Sequence, residues 1–248
     1  MAAGILKTTR ADLISRSTSE YDRVSQFNDA LARRIHREPL QYILGEAYFY
    51  GLTLFVTKDV LIPRPETELL VEESLRMLNG IPKTKEAVVA DVGTGSGAIA
   101  IAIASKNKQC RVFATDISQP ALDIAKRNVL RHAVDGRVTL LRGDLITPIT
   151  QRPHIIIANL PYVKRSALPD SQPELRHEPI TALDGGPDGL GIIRRFWAQL
   201  MDRFEGSGTV VLLEHEADQA AALKEMAKRP FRQMKDLAGL VRVSVTTL

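Results

Sequence analysis

The stretch AVVADVGTGSGAIAIA, residues 87–102, decides the fold class, because its texture changes twice along its length. Ala87–Val92 is a short apolar run of strand character. Gly93, Gly95 and Gly97 then alternate with Thr94 and Ser96, and an alanine–isoleucine helix follows to about Ala104. Glycines in that pattern let the backbone turn tightly and approach a ligand with no side chain in the way, while the helix N-terminus offers free N–H groups. A plain strand-to-helix turn does not need three of them, since each costs chain entropy. The spacing alone does not choose the ligand: Gly93, Gly95 and Ala98 also satisfy the G-x-G-x-x-A form of the dinucleotide fingerprint.

Outward from this unit the same texture repeats. RVFATDI (111–117) reads as a second strand, PALDIAKRNVLRH (120–132) as a helix, VTLLRGD (138–144) as a third strand and PHIIIAN (153–159) as a fourth. Further on, Gly189 to Phe204 has a helical pattern, TVVLLEHE (209–216) is strand-like, Ala217 to Lys228 is helical, and short strands are expected near Phe231 and over Arg242 to Val245. Strands alternating with helices imply a mostly parallel sheet covered on both faces, with ligands gathered at the carboxyl ends of its strands.

Upstream the pattern differs. Val24, Phe27, Leu31 and Ile35 recur at helical spacing, YFYGLTLFVTKDV (48–60) reads as a hairpin or extended linker, and IPRPETELLVEESLRML (62–78) places Pro63 and Pro65 before an amphipathic helix that Glu66 or Thr67 is available to cap. The expected organisation is a helical segment over 1–45, a hairpin, linker and helix over 46–82, and an α/β domain over 83–248. No internal repeat or low-complexity tract interrupts it.

Composition narrows the function classes. The chain has 248 residues, 44% hydrophobic and 25% charged, with a net charge of +4, a mild basic excess that many ordinary enzymes share. A single cysteine, Cys110, excludes an intrachain disulfide and a cysteine-rich zinc site, and is read as a small core residue in a reducing cytoplasm. Five scattered histidines suggest no metal site, and His177 and His215 are read as surface or strand-end residues. The N-terminal residues lack the apolar stretch of a secretion signal, and the longest apolar run, Ala98–Ala104, is too short to span a bilayer, so a soluble, cytoplasmic protein is expected.

The strand ends carry the chemistry. Asp116 ends the second strand, where a carboxylate can accept hydrogen bonds from both ribose hydroxyls of an adenosine; Ser118 is the better helix cap, with Pro120 just inside. Asp144 ends the third strand and is placed to receive an adenine amino group with Leu145 packing on the ring; a bare loop aspartate is the competing reading. At the fourth strand the sequence NLPY, Asn159–Tyr162, offers two acceptors: the Asn159 side-chain carbonyl, and the Leu160 main-chain carbonyl held extended by Pro161. Converging acceptors suit a planar –NH2 group, which they hold by both protons, and Tyr162 adds a flat surface beside it. Such a clamp serves transfer to a conjugated nitrogen, a poor nucleophile that gains from orientation. An asparagine–proline turn closing a strand is the structural alternative.

Taken together these residues resemble the class I S-adenosylmethionine-dependent methyltransferases and, more narrowly, the HemK/PrmC family of protein-(glutamine-N5) methyltransferases acting on peptide chain release factors. REPLQYILGEAYFYGL (37–52), VLIPRPETELLVE (60–72), DVGTGSGAIAIA (91–102), and NLPYV with EPITALDGGPDGLGIIRR (178–195) carry the resemblance. It implies a Rossmann-like seven-stranded sheet with an antiparallel strand near its edge, preceded by a small helical domain that docks the substrate. By position it implies that Gly93, Thr94, Gly95, Ser96 and Gly97 hold the methionine part of S-adenosylmethionine, Asp116 the ribose, and Asp144 with Leu145 the adenine side. Asn159 to Tyr162 would bind the glutamine of a Gly-Gly-Gln tripeptide, with Pro63 and Arg64 bordering the cleft. The partner implied is a class I release factor met by a monomer, without stable nucleic-acid or membrane binding. The second position of the tetrapeptide is leucine where the family usually has proline; that position works through its carbonyl. An Asn-Leu-Pro-Tyr form also occurs in RNA adenine-N6 dimethyltransferases, so an adenine-N6 methyltransferase is the first rival. A nicotinamide oxidoreductase and a non-catalytic cofactor-binding partner protein are the others.

Overall fold

The computed structural model describes residues 2–6, 11, 24–82, 84–168 and 172–248; the ranges 7–10 and 12–23, within the expected helical segment, lie outside the described residues. In chain order the helices are α1 (Ala2–Leu6), α2 (Val24–Ile35), α3 (Leu40–Leu44), α4 (Glu68–Leu78), α5 (Ala98–Lys106), α6 (Gln119–Arg131), α7 (Gly191–Phe204) and α8 (Ala220–Ala227). Strands β1 (Glu46–Phe49) and β2 (Leu52–Phe55) form an antiparallel hairpin. Its turn residues, Tyr50 and Gly51, both sit at positive φ (49° and 77°), the twist that two-residue hairpins require.

The remaining strands, β3 (Ala87–Val92), β4 (Cys110–Asp116), β5 (Val138–Arg142), β6 (Ile155–Ala158), β7 (Val210–Glu214), β8 (Arg232–Lys235) and β9 (Val241–Thr247), make one seven-stranded sheet in the order β5-β4-β3-β6-β7-β9-β8. Strand β9 runs antiparallel to both neighbours while β3 to β7 pair in parallel, as the resemblance implies. The order reverses between β3 and β6, and at such a switch point the connections leave in opposite directions and open a crevice beyond the strand ends. The glycine loop follows β3 and the NLPY tetrapeptide follows β6, so both borders of the crevice were legible as strand endings.

Two apolar layers hold the sheet. Ile155 and Ile157 of β6 face the layer containing Leu70, Ile101 and Val129, whereas Ile156 and Ala158 face Phe196, Trp197 and Leu200. Alternation along a strand produces this split, and an unbroken apolar β6 follows from both faces being covered. Burying each isoleucine is worth about 1.5–3 kcal/mol. Helix α5 is apolar on every side, and Ala98 to Ala104 are all buried.

Two local expectations change. Helix α2 forms, yet Leu31 and Ile35 of its expected apolar stripe are exposed, at 39% and 70%, and Ala30 is the buried residue. Its docking is instead polar: Arg34 and Arg37 pair with Glu174, and the His177 ring meets the His36 carbonyl. Thr67 precedes α4 after a single 3-10 turn, Pro65–Thr67, but its side chain caps nothing, because it is engaged at the crevice. Ser118 does cap α6, accepting from the Ala121 amide at 3.3 Å.

Candidate active site

The crevice is floored by the glycine loop. Gly93, Gly95 and Gly97 all take positive φ, at 75°, 54° and 82°. A Cβ at Gly93 would press on the Leu160 side chain at 3.1 Å, and one at Gly97 on Ile101 and Ala125, so these two are glycine because neighbours close in. At Gly95 a Cβ would meet nothing within 4 Å: that edge of the loop is open to the crevice.

The loop amides, expected to be free for a ligand, are mostly spent. Gly93 and Thr94 donate to the Thr115 carbonyl, Gly95 to Asp116 Oδ2 at 2.9 Å, and Gly97 to the Thr94 carbonyl. A pyrophosphate needs such N–H groups aimed at it. Two carboxylates instead hold the loop, and one of them, Asp116, lines the crevice. Asp91 is buried, with Oδ2 taken by the Thr94 hydroxyl and the Ala100 amide and Oδ1 without a partner among the described residues. Burial pushes its carboxyl up to about 6. Asp116 bridges the Gly95 and Ser118 amides, one oxygen each, and burial raises its pKa as well. With the loop amides used internally, the arrangement disfavours a pyrophosphate and hence the dinucleotide reading, while Asp116 fits a ribose.

Asp144 and Leu145 line the crevice as expected, with a difference in detail. Both Asp144 oxygens accept from Arg195 at 2.7 Å, and Gln199 adds a third contact, so this carboxylate is already paired. Leu145 is buried at positive φ, and its carbonyl accepts from the Thr115 hydroxyl. Neither Arg195 nor Gln199 was foreseen.

The opposite wall is NLPY. Asn159 Nδ2 donates to Thr67 Oγ1 at 3.0 Å, which leaves the Asn159 side-chain oxygen and the Leu160 carbonyl as acceptors that no described residue occupies. Asn159, Leu160 and Pro161 line the crevice. Tyr162 stands behind them instead of beside the opening. Its hydroxyl donates to Glu214 Oε1 at 3.1 Å and its carbonyl accepts from Gln219, because a partly buried phenol must find a partner. Glu214, at the end of β7, is fully buried; burial drives its pKa up to about 7 against the pull of the Thr67 and Tyr162 hydroxyls.

Beneath NLPY runs the glycine-rich segment. Val163 pairs with Asp184, Arg165 donates to the Gly186 carbonyl, and Gly191 donates to that of Gly185. Pro63 and Arg64 complete the rim. Arg64 pairs with Glu178, whose other oxygen accepts from the Ile62 amide at 3.0 Å, so a buried carboxylate ties the PRPETE turn to the segment beginning at Glu178. Glu178, Thr67 and Glu214 were missed because each acts through a partner far away in sequence.

Comparison with known proteins bears on the family and the fold. Residues 1–45 match the PrmC N-terminal domain family and residues 70–177 the Methyltransferase small domain family. The release factor glutamine methyltransferase of Moorella thermoacetica is 39% identical over 89% of this chain and 77% of its own length. Those of Coxiella burnetii (38%; 97% and 87%) and Neisseria gonorrhoeae (40%; 96% and 87%) are comparably similar. Among solved structures, the hMettl16 catalytic domain in complex with a MAT2A 3′UTR hairpin superposes with a TM-score of 0.62 at 15% identity, covering 79% of this chain and 75% of that one. A Pyrococcus furiosus methyltransferase gives 0.54 at 18%, covering 89% and 98%; both likenesses bear on the fold alone. With relatives this similar over nearly its whole length, the chain belongs to the release factor glutamine methyltransferase family.

Proposed function

We propose that this protein methylates the side-chain amide nitrogen of the glutamine in the Gly-Gly-Gln motif of a peptide chain release factor, using S-adenosylmethionine. Family membership supports the reaction, and one observation carries the assignment to this site: two acceptors with no partner among the described residues, Asn159 Oδ1 and the Leu160 carbonyl, at the tip of β6 across from the glycine loop. S-adenosylmethionine, when bound, supplies an activated methyl carbon. Gly93 to Gly97 would hold its amino-acid end, along the open Gly95 edge, and Asp116 its ribose. Asp144 and Leu145 would border the adenine.

The rest of the work belongs to orientation. An amide nitrogen is conjugated and weakly nucleophilic; accepting both its protons fixes its plane and aims the nitrogen in one direction. Pro161 keeps Leu160 extended so that its carbonyl serves as the second acceptor. Pro63 and Arg64 flank the acceptor side. Leu160 is buried against the glycine loop, so a leucine at this position still fills the space between the two halves of the crevice. The substrate in this reading is a protein, met in the cytoplasm by a monomer, with residues 1–45 as the docking segment. The Arg34 and Arg37 pairs with Glu174 fasten α2 to the segment that leads to Glu178 at the rim.

The test is direct. A release factor incubated with the protein and S-adenosylmethionine should gain one methyl, mapped by peptide mass spectrometry to the tripeptide glutamine. Asn159→Ala should abolish that gain while leaving cofactor affinity unchanged by calorimetry. Methyl appearing on RNA or DNA, and none on the release factor, would defeat the proposal.

A further inference from the structure

Arg195 is a cation lining the crevice that the transfer reading above does not use. It follows Ile192 by three residues on α7 and precedes Gln199 by four, so the three share one helix face, and Ile192 lines the crevice with it. That face meets the ends of β4 and β5. The Gly143 amide donates to the Asp116 carbonyl and the Thr115 hydroxyl to that of Leu145, which laces the two strand ends together beside Asp144. Ile117, left 64% exposed, lines the crevice at the end of β4 and adds apolar surface there.

The Arg195 and Asp144 side chains form an ordered pair. One guanidinium nitrogen, Nη2, donates to both Asp144 oxygens at 2.7 Å, and Gln199 Nε2 donates to Oδ2 at 3.1 Å. A guanidinium holds five N–H donors in a rigid plane and usually meets a carboxylate with two nitrogens at once. Here it meets it end-on with one. Nε and Nη1 have no partner among the described residues, so most of the fork is unspent. On the carboxylate, Oδ1 has one partner where Oδ2 has two, which makes Oδ1 the freer acceptor. The crevice therefore carries a donor group and an acceptor oxygen side by side, with Gln199 fixing the carboxylate.

Adenine has the matching order on its edge: the 6-amino group donates, and the ring nitrogens that flank it accept. We infer that Arg195 is a specificity-determining residue for the cofactor's base. Its free N–H groups donate to the ring nitrogen beside the amino group, while Asp144 Oδ1 accepts from the amino group and holds the guanidinium in place. A purine with oxygen at C6 breaks the match, because that oxygen accepts and N1 carries a proton. This role belongs to the cofactor side of the proposed site and rests on S-adenosylmethionine occupying the crevice.

Calorimetry with S-adenosylhomocysteine and its 6-oxo counterpart, S-inosylhomocysteine, tests it. The parent protein should bind the adenosyl form about 10- to 100-fold more tightly, since charge-assisted hydrogen bonds are lost or opposed in the other. Arg195→Met keeps the length of the side chain without its donors, and Asp144→Asn removes the charge that holds the guanidinium; both should lose affinity for the adenosyl form and most of the preference. Arg229→Met, which breaks an ion pair with Glu205 outside the crevice, should keep the preference. The ribose separates the base from the transferred methyl, so in Arg195→Met the KM for S-adenosylmethionine should rise by about the factor lost in affinity, with a far smaller change in kcat. A pair that only braces the fold would lower affinity for both compounds together and leave their ratio at the parental value. That parental ratio in Arg195→Met, or a parent protein without preference, would overturn the inference. A parent that binds neither compound would defeat the proposed cofactor site and this role with it.

Discussion

Gly189 is not among the residues lining the crevice, yet replacing it with alanine should disable the enzyme. Gly189 sits at φ 77°, and a Cβ there would lie 2.3 Å from the Tyr162 carbonyl oxygen and 2.5 Å from Gln219 Nε2. Ordinary carbon–oxygen contact is nearer 3.3 Å, so something must move by roughly 1 Å. Both atoms belong to one hydrogen bond, Gln219 Nε2 to the Tyr162 carbonyl at 2.9 Å, so the displacement falls on the tetrapeptide that presents the two acceptors. The left-handed backbone costs an alanine about 1–2 kcal/mol and loss of the hydrogen bond about 1 more. Together these lower the melting temperature by roughly 5–10 °C in a chain of this size. The catalytic effect should be larger: a shift of about 1 Å at a reacting group costs on the order of 100-fold. Gly206→Ala is the control, because Gly206 has φ 70° with nothing within 4 Å and carries the backbone cost alone. Methyl-transfer kinetics, calorimetric cofactor binding and thermal unfolding on both variants decide the matter. Gly189→Ala with kcat equal to Gly206→Ala would refute the claim that this glycine positions the acceptors.

Asp116→Ala should weaken S-adenosylmethionine binding by more than tenfold in calorimetry, since it removes the proposed ribose acceptor and frees the Gly95 and Ser118 amides, while kcat at saturating cofactor changes little. Arg64→Ala should destabilise the fold by about 3 kcal/mol in denaturant titration, because it leaves the buried Glu178 carboxylate without its cation. Asp91 and Glu214 have carboxyls raised to about 6 and about 7 in the folded state, so the unfolded chain releases those protons first. Their contribution to stability is full below about pH 4 and lost as pH rises to about 7. Asp91→Asn should flatten the lower part of that slope in chemical unfolding measured across pH; an unchanged slope would show that Asp91 titrates normally.

What could be read in the sequence was what neighbours in the chain decide. Ser118 two residues before Pro120 marks a helix start, Tyr50-Gly51 a hairpin turn, and the glycine loop a strand-to-helix corner, because each is fixed within a few residues. The strand ends bearing Asp116 and Asn159 followed from alternation of strands and helices. Thr67 looked like a helix cap because the same hydroxyl serves either purpose, and only the packing of β6 beside α4 brings Asn159, 92 residues away, to claim it. Glu178 binds a main-chain amide 116 residues distant, and no local pattern marks such a partner. The stripe of α2 misled for the opposite reason: its periodicity is real, but the surface it meets offers Glu174 to its arginines.

The division of the sheet at β3 and β6 has a consequence for biosynthesis. Strands β3, β4 and β5, with their corner glycines and Asp116, emerge consecutively from the ribosome and can pair as they appear. The residues that hold the Asn159–Tyr162 tetrapeptide come from both sides of it in the chain: Thr67, early, bonds Asn159, and Glu214 and Gln219, late, bond Tyr162. A nascent chain therefore completes the proposed cofactor side of the crevice before the proposed substrate side, whose Tyr162 finds its partners only after β7 and the turn beyond it have been synthesised.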